Sequence, residues 1–501
     1  MIQRIEKLLA QALDACLPWV QEREGALQFV DPLEDREISA HYGATHAAAA
    51  FLLYGQAKGD EALKKRGEAL LGSVLDRWAS IRRLPGFHND FNSFALCVAE
   101  EAAPSLRDLI RQAVLSTPDS PHDTVNWLPM RWYVNRCRHQ WTGEKKYLDE
   151  CRACADKIRA ATYPDGFLDD RLPKGLSFNL QYDAATVAVL QFLRVAGEEI
   201  DIGRETGALL SAVCPDGDIN YLGRGANQVF AWGLWVYLLA SGGLPEGERA
   251  LRYLADRLPT MLKCRNLMLN DFPGEEKYLW WDYHFCSVYT AHLLFWLTLA
   301  WRDAGKMPVW PVFALDGSSG VHLYRSDSAF AAVFDGRTEY LAERGPVVAA
   351  LWTKKSGVIC KGAFGPWQGA FGREHMQTDA TLRNFVGMLQ IDVEKDWSRS
   401  RLVRKLLPGM QSAAREAVRP VFCPVEVCLA GEGIDLTWCP KPGRYLVNLP
   451  LAGDSAPLIR IQADGRDIPA SIPLQVRNPY GWVRLLQAKA DSPARIDIHL
   501  T

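Results

Sequence analysis

No run of eighteen or more apolar residues occurs anywhere in the 501-residue chain, so no segment reads as a membrane span. Neither sign of charge is in surplus. The 57 basic residues nearly balance 59 acidic ones, leaving a net charge of -2. That excludes the basic field a nucleic-acid partner needs and the block of like charge that binds a membrane surface. A cysteine framework is also missing. The twelve cysteines are scattered without regular spacing, which predicts reduced, packed thiols rather than a disulfide scaffold. Cys151 and Cys154 form one C-x-x-C, but it lies in the charged helical pattern Y-L-D-E-C-R-A-C-A-D-K-I. With no second pair and no nearby His, no zinc site is expected there. No other spacing argues for a metal and no cofactor is expected, although a structural divalent ion on the later, β-rich part is left open. The N-terminal stretch carries Glu6 and Asp14 inside its apolar pattern, which a secretory leader would not. An amphipathic helix and a cytoplasmic location are the expectations.

What the chain does have is length, aromatics and repetition. At 501 residues it exceeds one ordinary core, and 48% apolar with 23% charged residues is the composition of a globular protein of two or three domains. Seventeen Trp is a high count, and many fall in expected loops, where indole faces suit the C–H faces of sugar rings.

The same unit is written six times over the first 300 residues: a Pro or Pro-Gly turn, a polar and aromatic loop, then an apolar run of helix formers. The turn prolines are Pro32, Pro85, Pro121, Pro164, Pro215 and Pro273. The fourth copy, from Pro164 to Leu190, is the clearest: P-D-G-F-L-D-D-R-L-P-K-G-L-S-F-N-L-Q-Y-D-A-A-T-V-A-V-L. Between the units lie charged segments such as E-A-L-K-K-R-G-E-A-L-L-G-S-V-L-D-R-W, with apolar residues every three to four positions. Each unit therefore pairs a buried helix with a half-polar one. Six pairs closed into a ring make an (α/α)6 toroid; an open solenoid is the competing layout. In either, the loops feeding the buried helices gather on one rim, where helix N-termini present free N–H groups. Those loops hold His41, His46, His88, Asn89, Asn92, His122, Asn126, Asn179, Tyr182, Tyr221, Arg224, Asn227, Tyr283 and His284.

Near Met307-Pro308 the texture changes to short alternating or β-branched runs, such as G-V-H-L-Y-R-S, I-D-L-T-W and R-I-D-I-H-L. These predict an antiparallel β-sandwich. The expected domains are 1–306, the toroid, and 307–501, the sandwich, with a small separate C-terminal sheet from about residue 417.

A helical toroid followed by a β-sandwich resembles the polysaccharide lyases of the heparinase II/III and alginate lyase type. D-G-F-L-D-D…F-N-L-Q-Y-D-A-A-T-V-A-V-L is similar to the family segment in which an Asp-Gly turn precedes the catalytic tyrosine. H-M-Q-T-D-A-T-L-R-N-F-V-G, from His375, is similar to the family's H-x-x-x-D stretch. The resemblance implies β-elimination next to a uronic acid, hence an acidic oligosaccharide or polysaccharide as partner. It makes Tyr182 the acid, and the base too if a neighbouring cation lowers its pKa from about 10. It makes His375 a base or its partner in a cleft between the two domains. Asn126 would hydrogen-bond the substrate carboxylate and Arg224 would pair with it. The family usually carries a histidine after that asparagine. Here Trp127 stands in its place, and His88 or His122 is left to fill the space. Further substrate contacts are expected from His88, Asn89, Asn179, Tyr221 and Asn227, and from the aromatic wall of Trp280, Trp281, Tyr283 and His284.

Two alternatives stand beside the lyase. A glycoside hydrolase on the same toroid needs two carboxylic acids across the cleft. Its candidates are Asp90, Asp169, Asp170, Asp183, Asp216, Asp218 and Asp282. The other alternative is a non-catalytic carbohydrate-binding protein or an accessory to polysaccharide synthesis. The sugar, exo or endo action and the oligomeric state are not legible in the sequence.

Overall fold

The computed structural model describes residues 1–81, 86–175, 177–223, 225–240, 245–264, 285–306, 316–336, 347–362, 389–391, 425–441, 444–452, 458–478 and 480–501. The chain divides into two compact units. The first takes Met1–Lys174, Gln181–Leu209 and Gln228–Val312; the second takes Gly175–Leu180, Leu210–Asn227 and Phe313–Thr501.

The first unit opens with α1 (Ile2–Cys16), which buries Ile5, Leu8, Leu9, Ala12, Leu13 and Cys16 on one stripe, as its pattern predicts. A small antiparallel sheet follows, β1 (Val20–Arg23), β2 (Ala26–Asp31) and β3 (Arg36–Glu37), where the sequence suggested only a turn. Then come α2 (Gly43–Lys58), α3 (Glu61–Asp76), the single turn α4 (Trp78–Ile81), α5 (Asn89–Ala99), α6 (Arg107–Ser116), α7 (Leu128–Thr142) and α8 (Lys145–Ala161). The remaining helices are α9 (Leu180–Val195), α10 (Gly203–Ser211), α11 (Phe230–Leu239), α12 (Pro245–Cys264) and α13 (Cys286–Asp303). No described helix is long and apolar enough to cross a membrane.

Helices α2, α5, α7, α9, α11 and α13 are the inner set. Every residue of α11 is buried, and in α5 every residue after Asn89 is buried. Such helices carry no polar stripe, because no side of them meets water. The circle closes: α2 packs on α5, α5 on α7, α11 on α13 and α13 back on α2. Phe192 of α9 bridges the remaining arc, with ring centroids 5.2 Å from Phe94 of α5, 5.0 Å from Tyr133 of α7 and 6.4 Å from Tyr237 of α11. The half-polar helices lie outside, with α1 packed against α13 as the sixth outer partner. In α3 the start is fixed by Asp60, whose carboxylate accepts the N–H groups of Ala62 and Leu63.

The second unit is antiparallel throughout. Its strands are β4 (Val321–Arg325), β5 (Ala329–Phe334), β6 (Val347–Thr353), β7 (Gly357–Lys361), β8 (Leu389–Ile391), β9 (Val425–Ala430), β10 (Gly433–Trp438) and β11 (Arg444–Ala452). They continue with β12 (Ile459–Ala463), β13 (Arg466–Asp467), β14 (Ala470–Asn478), β15 (Gly481–Asp491) and β16 (Ile496–Leu500). Three sheets result, ordered β4-β5-β6-β7, β14-β15-β11-β8 and β13-β12-β16-β10-β9. Ala331, Leu351, Ile359, Leu436, Trp438, Val447, Leu486 and Ile498 belong to one core shared by all three. The segments Gly175–Leu180 and Leu210–Asn227 pack with these strands. Phe178 stacks on Phe334 at 5.1 Å and Tyr221 meets Phe330 edge-on at 6.4 Å.

Close approach of inner helices depends on Gly233 of α11. A Cβ there would lie 2.8 Å from the Cβ of Trp296 and 3.0 Å from the carbonyl oxygen of Leu293, both on α13. Gly233→Val is expected to lower stability by about 1–3 kcal/mol through overpacking, read as a lower denaturant midpoint at unchanged slope.

Candidate functional site

The heads of the inner helices bring one continuous aromatic and imidazole wall together in the first unit. Tyr42, just before α2, stacks on Phe91 of α5 with ring centroids 4.4 Å apart. It also lies 5.3 Å from His88 and 5.5 Å from His292 of α13. His88 continues the wall to His41 at 4.1 Å and to Trp127 at 6.4 Å. On the other side His292 stacks flat on Phe230 at 4.4 Å, and Phe230 meets Tyr182 at 6.4 Å and Tyr289 at 6.1 Å. Burial raises the pKa of Tyr42, and the neighbouring Tyr289 and Tyr182 raise it further. Three tyrosines therefore converge here, and Tyr42 stays protonated at any physiological pH.

Tyr182 is the third residue of α9, which begins at Leu180. Its ring is buried at the wall, and its backbone carbonyl accepts the Thr186 hydroxyl at 3.0 Å. His88 is half-buried. Its Nδ1 lies 3.0 Å from the carbonyl oxygen of Ala40, which can only accept, so Nδ1 carries the proton and the neutral ring's lone pair sits on Nε2. The surrounding rings push its pKa down to about 4. His46 and His292, fully buried beneath the wall, are neutral for the same reason, His46 being pushed to about 3. Among the described residues, Nε2 of His46 and both ring nitrogens of His292 find no hydrogen-bond partner.

Asn126 stands in a short turn ahead of α7, and its amide Nδ2 donates to Asp170 at 2.6 Å. The Asn126 backbone N–H donates to the same oxygen at 3.3 Å, and Val125 N–H donates to the Asp170 carbonyl at 2.8 Å. One of the two amide hydrogens of Asn126 is thus committed within the protein. Asn89 Nδ2 donates to the Pro118 carbonyl at 2.9 Å and braces the rim. Asn179, Tyr221 and Asn227 are buried in the second unit. The Tyr221 hydroxyl donates to the Ala212 carbonyl at 2.7 Å, and the Asn227 N–H donates to the Asn220 carbonyl at 2.6 Å. Arg224, Trp280, Trp281, Tyr283, His284 and His375 lie outside the described residues, as does Asp282.

Each described rim carboxylate has an internal task. Asp90 accepts Arg131 Nη2 at 3.1 Å and Ser120 N–H at 3.1 Å; burial outweighs the arginine and raises its pKa to about 6. Asp169 accepts the Tyr163 hydroxyl at 3.0 Å. Asp170 holds Asn126. Asp183 accepts Leu168 N–H at 3.0 Å, and burial raises its pKa well above its ordinary value. Asp216 and Asp218 face Lys361; burial of Asp216 is outweighed by the ammonium, which holds that carboxyl below its usual range. Among the described residues no group of three His, Cys, Asp or Glu side chains is arranged to hold a metal ion.

Of the residues in this wall, the sequence reading named Tyr182 and His88 as candidates and did not name Tyr42, Phe91, Phe230, Tyr289 and His292. One signal was available: Tyr289 and His292 are spaced i, i+3 near the head of an otherwise apolar helix, and so share a face.

No family profile matches the chain, and no curated protein matches it. Among solved structures it is similar to the family 76A α-1,6-mannanase of Salegentibacter sp. HEL1_6, at 10% identity and a TM-score of 0.42, over 59% of this chain and 99% of that one. It is also similar to a polysaccharide lyase, at 12% identity and a TM-score of 0.41, over 60% and 97%. A family 88 glycosyl hydrolase from Bacteroides vulgatus is similar at 12% identity and a TM-score of 0.40, over 61% and 99%.

Proposed function

We propose that the protein is a polysaccharide or oligosaccharide lyase that cleaves beside a uronic acid by β-elimination. His88 takes the C5 proton at Nε2, and the Tyr182 hydroxyl protonates the departing O4. The C4–O4 bond breaks as the C4=C5 double bond forms, conjugated with the carboxylate. Arg224 and the remaining N–H of Asn126 are the proposed partners of that carboxylate, whose neutralisation makes the C5 proton acidic enough to remove.

The observation that carries this reading is the state of His88. A base must be neutral at working pH and must point a lone pair at its proton. Packing against Tyr42, Phe91 and Trp127 keeps the imidazole neutral, and the Ala40 carbonyl fixes the lone pair on Nε2. The alternative, hydrolysis, requires two carboxyl groups facing the substrate. Asp90, Asp169, Asp170, Asp216 and Asp218 are engaged within the protein instead, and Asp183, buried near the head of α9, holds Leu168 N–H with one oxygen while the other has no partner among the described residues.

The test is a panel of uronate-containing oligosaccharides, read by the ultraviolet absorbance of the conjugated double bond. Cleavage with absorbance supports elimination. Cleavage without it makes the protein a hydrolase, and no cleavage leaves a carbohydrate-binding role. Tyr182→Phe is expected to lower turnover by about 100-fold or more; unchanged turnover removes Tyr182 from the reaction.

The pH profile tests His88 separately. Its pKa of about 4 lies below the ordinary histidine value of about 6.5, so the ring loses basicity only when pH falls through about 4. The acid limb of kcat/KM is expected near pH 4. A limb near 6.5 would show that another group is the base.

A further inference from the structure

We propose that Lys361 is a positioning residue for the rim, acting on the head of α9 through the two loop segments packed with the sheets. The proposal rests on the reading of Tyr182 above and adds a distant residue that its orientation depends on.

Lys361 is the last residue of β7, and its side chain is only 4% exposed. Its ammonium faces the Asp216 carboxylate, lies 3.1 Å from Asp218 Oδ2 and sits 5.5 Å over the Tyr480 ring. Tyr480 donates its hydroxyl to Asp218 Oδ2 at 2.6 Å and lies 3.0 Å from the Asn220 carbonyl. From β4, Arg325 Nη2 donates to the carbonyls of Ser211 and Val213. Side chains of β4, β7 and the β14–β15 turn thus hold this segment at 211, 213, 216, 218 and 220.

Forming the turn itself does not require Lys361. Cys214 N–H donates to the Asp218 carbonyl at 2.8 Å and Gly217 N–H to the Cys214 carbonyl at 2.8 Å. The fourth repeat closes identically at Tyr163–Phe167, with distances of 2.7 and 3.0 Å. What Lys361 adds is the tie between this turn and β7.

The tie continues to the site along the loop. Leu180 N–H donates to the Leu222 carbonyl at 3.3 Å. Gly223, with φ +98°, packs so tightly on Asn179 that a Cβ would lie 3.1 Å from its Cα. Leu180 is the first residue of α9 and Tyr182 the third. A loop released from β7 therefore releases the surface on which the first turn of α9 is seated.

The charges dictate which variant to use. Asp218 is satisfied without Lys361, by Ile219 N–H at 2.7 Å, Asn220 N–H at 2.9 Å and the Tyr480 hydroxyl. Asp216 accepts Asp218 N–H at 3.1 Å, and the Lys361 ammonium is its charged partner. Lys361→Met alone strands it, and that protein risks failing to fold. The double variant Lys361→Met with Asp216→Asn removes both charges while keeping the turn and the Asp218 bonds.

The experiment is amide hydrogen exchange on the full chain for the wild type, both variants and a control, Lys355→Met, at an exposed position, with lyase turnover measured in parallel. Exchange is expected to quicken at least about tenfold in peptides covering 211–223 and 177–182, with α2, α5 and α7 unchanged. kcat is expected to fall at least about tenfold while KM holds, because orientation is lost and not binding. Unchanged exchange at 177–182 overturns the proposal, and so does a rise spread evenly over the chain or a raised KM at constant kcat. Absence of turnover in the wild type defeats the lyase reading alone, and the exchange result still decides the role of Lys361.

Discussion

Burial on every side of the inner helices is the constraint on which the first unit depends. A helix such as α11, with no residue in contact with water, cannot hold a charged group along its length without a partner. Polar chemistry is driven to the ends, and the inner helices direct it to their heads, where loops arrive and backbone N–H groups are unpaired. The histidines that do lie within α2 and α13 obey the same rule by staying neutral. The wall of Tyr42, His88, Trp127, Tyr182, Phe230 and Tyr289 is packed where those heads meet, and all of it but His88 is buried.

Helix α7 is the exception that shows how such a rim is held. Arg131 and Arg138 are both 4% exposed, yet neither lacks partners. Arg131 grips the loop ahead of its own helix by the carbonyls of Ser120 and His122 at 2.9 and 2.7 Å and by Asp90 and Asp123. Arg138 holds the carbonyls of Val114 and Thr117, and Asp119. Removing one partner from a buried pair of this kind costs about 3–5 kcal/mol, because the survivor is stranded. The loop carrying Asn126 is therefore as constrained as the helix it feeds.

Much of this organisation is written locally and could be read without coordinates. Six recurring turns, all-apolar runs and i, i+3 spacing require only neighbours in sequence, which is why the helix pairs and the position of Tyr182 at a helix head were legible. The missed features are pairings between distant positions. Nothing near Asn126 announces that its amide will meet Asp170, and nothing near Phe230 announces the flat stack on His292. The strands β1 to β3 were missed for a different reason. Val20–Arg23 is four residues long with Glu22 and Arg23 in it, too short and too polar to show a period of two. The carboxylates illustrate the limit most clearly. Composition marks seven aspartates as candidates, but only the fold reveals which internal partners those described have, and that Asp183 alone among them keeps a buried oxygen without one.

Trp127 gains a physical meaning from this arrangement. At the position where a histidine would serve as a polar group, an indole closes the wall beside His88 and Phe91 instead. An aromatic neighbour withdraws water from the imidazole, and a poorly solvated imidazole resists protonation. An indole there favours the neutral form of the neighbouring His88, and it is itself buried, at 6% exposure. In the proposed reaction, the part of this indole is to help keep water from the base. The burial of Trp127 and the low pKa of His88 are then two aspects of the same packing.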